Sequence, residues 1–190
     1  MTVRNRTQVL AKLGRLSEMA RELRRGGCSF SITRLTVLKS LCADPVAATR
    51  FGMYLTRKSK AKAPKRFIPL INRTIRLVDA HLRSTAARPT ETMWDAFSSL
   101  QASQSDIEHH PWTDVRIIHS KEALLAEYTL KCVLWPEQST YWSYQMAAIY
   151  ADRYNPRYGT GLLPESAPAV EDIVRFWSRY HPFKSGGRTR

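Results

Sequence analysis

Apolar residues recur along this chain at intervals of three and four, the spacing of one face of an α-helix. In residues 7–25 the apolar positions Val9, Leu10, Leu13, Leu16, Ala20 and Leu23 form such a face, and Gly26-Gly27 supply a stop. Ser31 can cap a second helix over 32–42, carrying Ile32, Leu35, Leu38 and Leu41 or Cys42. Asp44-Pro45 marks the start of a third, reaching about Thr56, because Asp caps and Pro suits the first turn. Pro69 opens a fourth helix to about Ser84, with Ile71, Ile75, Val78 and Leu82 on one stripe. Thr90 caps a fifth through Met93, Trp94 and Phe97.

Residues 102–113 read as polar and turn-like, and Val115-Arg116-Ile117-Ile118 is too short a run to assign to strand or helix entry. Ser120 caps a sixth helix with Leu124, Leu125, Tyr128, Cys132 and Trp135 on one side, ended by Pro136. Residues 138–154 form a seventh, apolar around much of its circumference as buried helices are. A connector rich in Pro and Gly follows over 155–168. Pro168 then begins an eighth helix with Val170, Ile173, Val174, Trp177 and Tyr180 inward. There is no internal repeat and no sustained alternation of period two, so the expected fold is all-α, an irregular bundle of about seven to eight helices.

Charge divides the chain where helix periodicity does not. Of the 190 residues, 30 are Lys or Arg and 16 are Asp or Glu, a formal net charge of +14. Residues 1–90 hold 20 of the basic residues and only 4 acids, a surplus of 16, whereas 91–190 hold 10 against 12. Aromatic residues run the other way: Phe30, Phe51, Tyr54 and Phe67 precede residue 90, and all five tryptophans follow it. The expectation is a basic helical region over 1–90 that binds nucleic acid and an aromatic-rich helical body over 91–190, within one continuous domain or two.

The basic surplus is densest at Arg57, Lys58, Lys60, Lys62, Lys65 and Arg66, six cations in ten residues with no acid, in a stretch that reads as a loop or frayed helix end. At 100° per residue, Arg66, Arg73, Arg76 and Arg83 then fall within an arc of about 100°, opposite the apolar stripe of the fourth helix. A merely solvated face intersperses both signs, but Asp79 is the only acid between Asp44 and Glu91. The planar guanidinium fork suits phosphate oxygens, so these nine residues are the expected nucleic-acid-binding site. Such contacts position a protein on a polyanion without reading its sequence, and RNA is favoured over DNA because no confident groove-entering motif is found. Residues 32–56 have the length of a helix-turn-helix, with Thr49 and Arg50 as base-reading candidates, but the turn lacks a glycine.

Two other functions compete with a non-enzymatic nucleic-acid binder. One is an adaptor docking on an acidic protein or within a ribonucleoprotein, using Tyr141 and Tyr144, which fall off the main stripe of the seventh helix. The other is a metal-dependent nuclease or other hydrolase built on Asp106, Glu108, His109, His110 and Asp114. Adjacent histidines diverge in regular structure and no His-Glu-x-x-His spacing exists, so a polar loop is the preferred reading, with neither cofactor nor metal. The 155–162 loop, with Gly159-x-Gly161 beside Arg157, follows a helix and lacks the strand that a phosphate-binding glycine loop requires.

Cys28, Cys42 and Cys132 are odd in number and widely spaced, which supports neither a disulfide framework nor a zinc cluster. No stretch of ~18 apolar residues exists to form a transmembrane segment, and no signal-peptide core follows the start. An intracellular, preferably cytoplasmic, protein is expected. The alternative is organelle targeting by the first helix, whose Arg4, Arg6, Lys12 and Arg15 precede any acid.

Overall fold

The computed structural model describes residues 3–26, 38, 44–84, 88–104, 107–110, 113–117, 120–151, 162 and 164–180. Its described helices are α1 (Val3–Arg24), α2 (Pro45–Ser59), α3 (Ile68–Arg83), α4 (Glu91–Gln104), α5 (Lys121–Leu134), α6 (Ser139–Ala151) and α7 (Ala167–Tyr180). The fold is all-α, a helical bundle, with one short antiparallel hairpin, β1 (Ile107–His110) and β2 (Thr113–Ile117). Seven of the eight expected helices are present at the expected places. The remaining one, the second in sequence order over 32–42, lies outside the described residues apart from the buried Leu38.

The helix starts obey local chemistry. The Asp44 carboxylate accepts a hydrogen bond from the Val46 amide at 3.0 Å, with Pro45 in the first turn of α2. Ser120 does the same for α5, its hydroxyl accepting from the Ala123 amide at 3.3 Å. The segment expected to be turn-like over 102–113 is instead the end of α4 followed by strand. Pairing runs Ile107 to Ile117 and Glu108 to Arg116, then shifts register before His110 meets Thr113. A ladder this short, with a bulge, leaves no alternating run long enough to be read in advance.

The chain divides into two compact units, Met1–Val37 with Ala151–Arg190, and Leu38–Tyr150. In the first, α1 packs against α7. Val9, Leu13, Leu16, Met19, Ala20 and Leu23 are buried on α1, and Val170, Ile173 and Trp177 on α7. Leu10 was expected on the same stripe but is 49% exposed. It sits about 110° around the helix from the centre of that stripe. Arg24 grips Glu171 with two parallel hydrogen bonds, one from Nε and one from Nη2 at 2.7 Å. That pairing holds the Glu171 carboxyl below its ordinary range and the guanidinium above its own.

The second unit is organised around α5, with α2, α3 and α4 each packed on it. The sequence places one apolar stripe on this helix; the structure buries almost its whole girth. Ala123, Leu125, Ala126, Thr129, Leu130, Cys132, Val133 and Leu134 are all buried, whereas Leu124, Tyr128 and Trp135 from the expected stripe are only half-buried. Ile71 and Val78 of α3 and Met93, Phe97 and Leu100 of α4 complete this core. Residue 90, where composition changes, lies inside this unit.

Two polar features lie within the apolar packing. Thr56 and Thr129 share a buried hydrogen bond of 3.0 Å where α2 crosses α5, and Thr129 also donates to the Leu125 carbonyl at 2.7 Å. The crossing is close because of Gly52: a Cβ there would lie 2.6 Å from Thr129 Oγ1 and 2.7 Å from Met146 Sδ. The second feature is the pair Glu127–Lys131, 2.7 Å apart on α5, with Glu127 buried. The Lys131 ammonium also stands 4.4 Å from the Tyr128 ring, 5.0 Å from Trp142 and 5.7 Å from Phe97. Ring faces and one carboxylate thus replace the water that this cation gives up.

Both features are open to measurement by urea unfolding. Helix propensity alone makes Gly52→Ala stabilising by ~1 kcal/mol; the crowding at Thr129 should reverse the sign and cost about 2 kcal/mol. A raised midpoint would contradict the close crossing. Lys131→Ala removes the ion-pair partner of the buried Glu127 and should cost about 3 kcal/mol, whereas the Glu127→Gln/Lys131→Met double variant should stay within about 1 kcal/mol of the native protein.

Candidate nucleic-acid interface

All nine cations singled out by the sequence lie in the second unit, on α2, α3 and the segment between them. That segment is not the expected loop or frayed helix end. α2 continues to Ser59, a 3-10 turn covers Lys60–Lys62, and a second covers Lys65–Phe67 directly before α3. Buried residues pin it at both ends: Ser59, whose hydroxyl donates to the Thr56 carbonyl at 3.2 Å, and Phe67, which is fully buried. Between these anchors Lys62, Lys65 and Arg66 are exposed. A charge run held by tight turns presents its cations at fixed positions, with less ordering entropy to lose on binding than a floppy segment has.

On α3, Arg76 and Arg83 are exposed and Arg73 is half-buried, while Ile71, Thr74 and Val78 face the core. Arg66 belongs to the preceding turn rather than to the helix, and its guanidinium lies 4.8 Å from the Phe67 ring centre. Lys58 lies 5.9 Å from the ring centre of Tyr54, one turn back on α2.

Asp79, the lone acid of this region, occupies a position the sequence does not reveal. Its carboxylate accepts a hydrogen bond from Arg83 Nη2 one turn on, and another from Arg57 Nη2 of α2 at 3.3 Å. The hydrogen bond from Arg83, aided by the charge of Arg57, holds the Asp79 carboxyl below its ordinary range. Two of the nine cations are therefore partly neutralised within the protein. A further link joins the turn after α2 to α3, as Lys60 Nζ donates to Asn72 Oδ1 at 3.0 Å. Between these cross-links lies an open cleft of about 430 Å³ lined by Arg57, Lys60, Asn72, Ile75 and Arg76. Asn72, Ile75 and Asp79 had no place in the sequence-level site. The only signal for them was the spacing of Asn72 to Arg76 and Asp79 to Arg83, each one helical turn.

The other candidates fare differently. Thr49 is buried with its hydroxyl donating to the Pro45 carbonyl at 2.8 Å, so it is not available to read a base edge; Arg50 is exposed. Asp106 and the 155–161 portion of the glycine loop lie outside the described residues. Glu108, His109 and His110 are described as strand backbone only. Among the described residues no three His, Cys, Asp or Glu side chains gather in a way that could hold a metal ion. Tyr141 is 47% exposed and Tyr144 half-buried. No described helix is long and apolar enough to cross a membrane.

Comparison with family models, curated proteins and solved structures produces no match to this chain.

The geometry of Asp79 makes a pH-linked prediction. Because its folded-state pKa is lowered, its ion pairs stabilise the protein at neutral pH and are lost as pH falls through that lowered value. Asp79→Asn should therefore be less stable than the native protein at pH 7, with the gap closing in acid, where native Asp79 is itself protonated. The same variant, by releasing Arg57 and Arg83, should bind a polyanion such as heparin roughly threefold more tightly at physiological salt. Weaker binding would show that Asp79 organises the surface rather than competing with its ligand.

Proposed function

We propose that this protein is a non-enzymatic nucleic-acid-binding protein that engages RNA in preference to DNA through phosphate contacts. Its binding surface is formed by Arg57, Lys58, Lys60, Lys62, Lys65, Arg66, Arg73, Arg76 and Arg83. The observation that carries this reading is the ordered basic segment between α2 and α3, anchored at Ser59 and Phe67 and continued by the arginines of α3. Residues 57–83 carry these nine cations and one acid, Asp79, which pairs with Arg57 and Arg83. Such a surface attracts a polyanion and holds it in register without reading bases. The preference for RNA rests on the lack of a groove-entering motif in the sequence, and the burial of Thr49 removes one base-reading candidate.

A second reading, an adaptor for an acidic protein or a ribonucleoprotein, draws on the aromatic surface. Trp94 is 41% exposed, although edge-on contacts with Trp135 at 5.1 Å and Phe97 at 6.5 Å hold its ring in place, and Tyr141 is exposed beside Trp142. Rigid aromatic side chains at a surface are favoured at protein interfaces.

The slope of affinity against salt separates the two. If about six of the cations meet phosphates of a duplex probe, log affinity should fall with log salt at a slope near −5. Replacing Lys58, Lys60, Lys62, Lys65 and Arg66 with Gln should flatten it to about −1. An unchanged slope in that variant would remove the function from this surface. A partner that stays bound to the purified protein after nuclease treatment would favour the adaptor.

A further inference from the structure

The cleft between α2 and α3 is more specific in charge than the surface around it. Arg57 sits in the last turn of α2 and Lys60 three residues on, so both lie on one wall; Asn72, Ile75 and Arg76 form the other, on α3. The walls are tied at two points, Lys60 to Asn72 and Arg57 to Asp79, which lie seven residues or ~10 Å apart along α3. Arg76 stands between the ties, and no acid of the described residues pairs with it. The three cations and Asp79 leave a local charge of +2.

Each other feature points the same way. The Asn72 amide oxygen accepts from Lys60, so what the amide offers an anion is its two N–H donors. Ile75 puts an apolar side chain beside the cations, a surface for the group that carries the phosphate. A backbone phosphodiester carries a single negative charge and only two unesterified oxygens. A phosphomonoester carries about −1.5 to −2 at neutral pH and presents three strong acceptor oxygens. The volume of about 430 Å³ exceeds what a lone phosphate needs and lies in the range of small-ligand sites, leaving room for the group the phosphate is attached to.

We propose that this cleft is a phosphomonoester site, with Arg76 and Arg57 forking the terminal oxygens, Lys60 supplying the point charge and the Asn72 amide donating the remaining hydrogen bond. Within the nucleic-acid reading, on which this rests for its natural ligand, the site would seat the phosphorylated end of a strand. A free mononucleotide offers the same chemistry.

The test uses the full chain and three fluorescent 12-nucleotide RNAs of one sequence, carrying a 5′-phosphate, a 3′-phosphate or hydroxyls at both ends. Adenosine monophosphate and inorganic phosphate serve as competitors. At least one phosphorylated end should bind roughly tenfold more tightly than the hydroxyl form, the worth of one good charged hydrogen bond. Arg76→Gln and Asn72→Leu should abolish that preference, while Lys65→Gln, outside the cleft, should weaken all three RNAs alike and keep the ratio. Competition by adenosine monophosphate near the affinity of the phosphorylated RNA would make a mononucleotide the ligand; competition by phosphorylated RNA alone would make it a strand end. Equal binding of all three RNAs, or a ratio unchanged in Arg76→Gln, overturns the site and leaves the broader nucleic-acid reading standing. If no RNA binds, yet adenosine monophosphate shifts the Asn72 side-chain amide resonances in the native protein and not in Arg76→Gln, the site stands and the broader reading falls.

Discussion

The second unit depends on the closeness with which α2 crosses α5. At Gly52 the two helices leave no room for a Cβ, and Met146 of α6 fills the remaining side of the contact. One turn further along α2, Thr56 and Thr129 satisfy each other's hydroxyls in a place no water reaches. A glycine and two threonines let backbones approach, and a buried polar pair with few other partners available sets their register. Because α2 is fixed at Gly52 and Thr56, its last turn and the 3-10 turn that follows emerge at a set height beside α3. The cleft lined by Arg57, Lys60, Asn72, Ile75 and Arg76 is the consequence.

Electrostatics is handled in opposite ways on the two sides of α5. On one side Lys131 is withdrawn from water and surrounded by Tyr128, Trp142 and Phe97, with Glu127 as its counter-ion. Every charge there has a partner, as burial demands. On the other side, the cations of α2 and α3 outnumber the single carboxylate of Asp79, which is shared between Arg57 and Arg83. Exposed like charges so close together repel, and the protein keeps them where water screens the repulsion. Two of them also lie against aromatic rings, Arg66 on Phe67 and Lys58 on Tyr54, and the proposed polyanion binding draws on the surplus of charge. The proposed phosphomonoester site is the cleft in that surface lined by Arg57, Lys60 and Arg76.

The helices themselves were legible because their signals are local. Asp44-Pro45 and Ser120 act on amides two or three residues away, and the stripes of α1, α3 and α7 need only the 100° step of a helix. The misreadings came where a neighbour decides. Leu10 fits the spacing of α1 yet stands exposed; α5 carries one apparent stripe yet is covered from several sides. The run 57–66 looks like a loop by composition, but Ser59 and Phe67 tie it to the core. Short paired strands such as Glu108 with Arg116 leave too few alternating positions to detect.

By itself the sequence determined the all-α class, the places where most helices begin and the position of the basic surplus, since each rests on spacing or composition within a few turns. Only the tertiary structure decided which cations are engaged. Asp79 is four residues from Arg83 but twenty-two from Arg57, and Lys60 is twelve from Asn72. Whether such groups meet depends on how α2 and α3 lie against α5, and for α2 that is set on its buried side, by the close packing at Gly52 and the Thr56–Thr129 hydrogen bond.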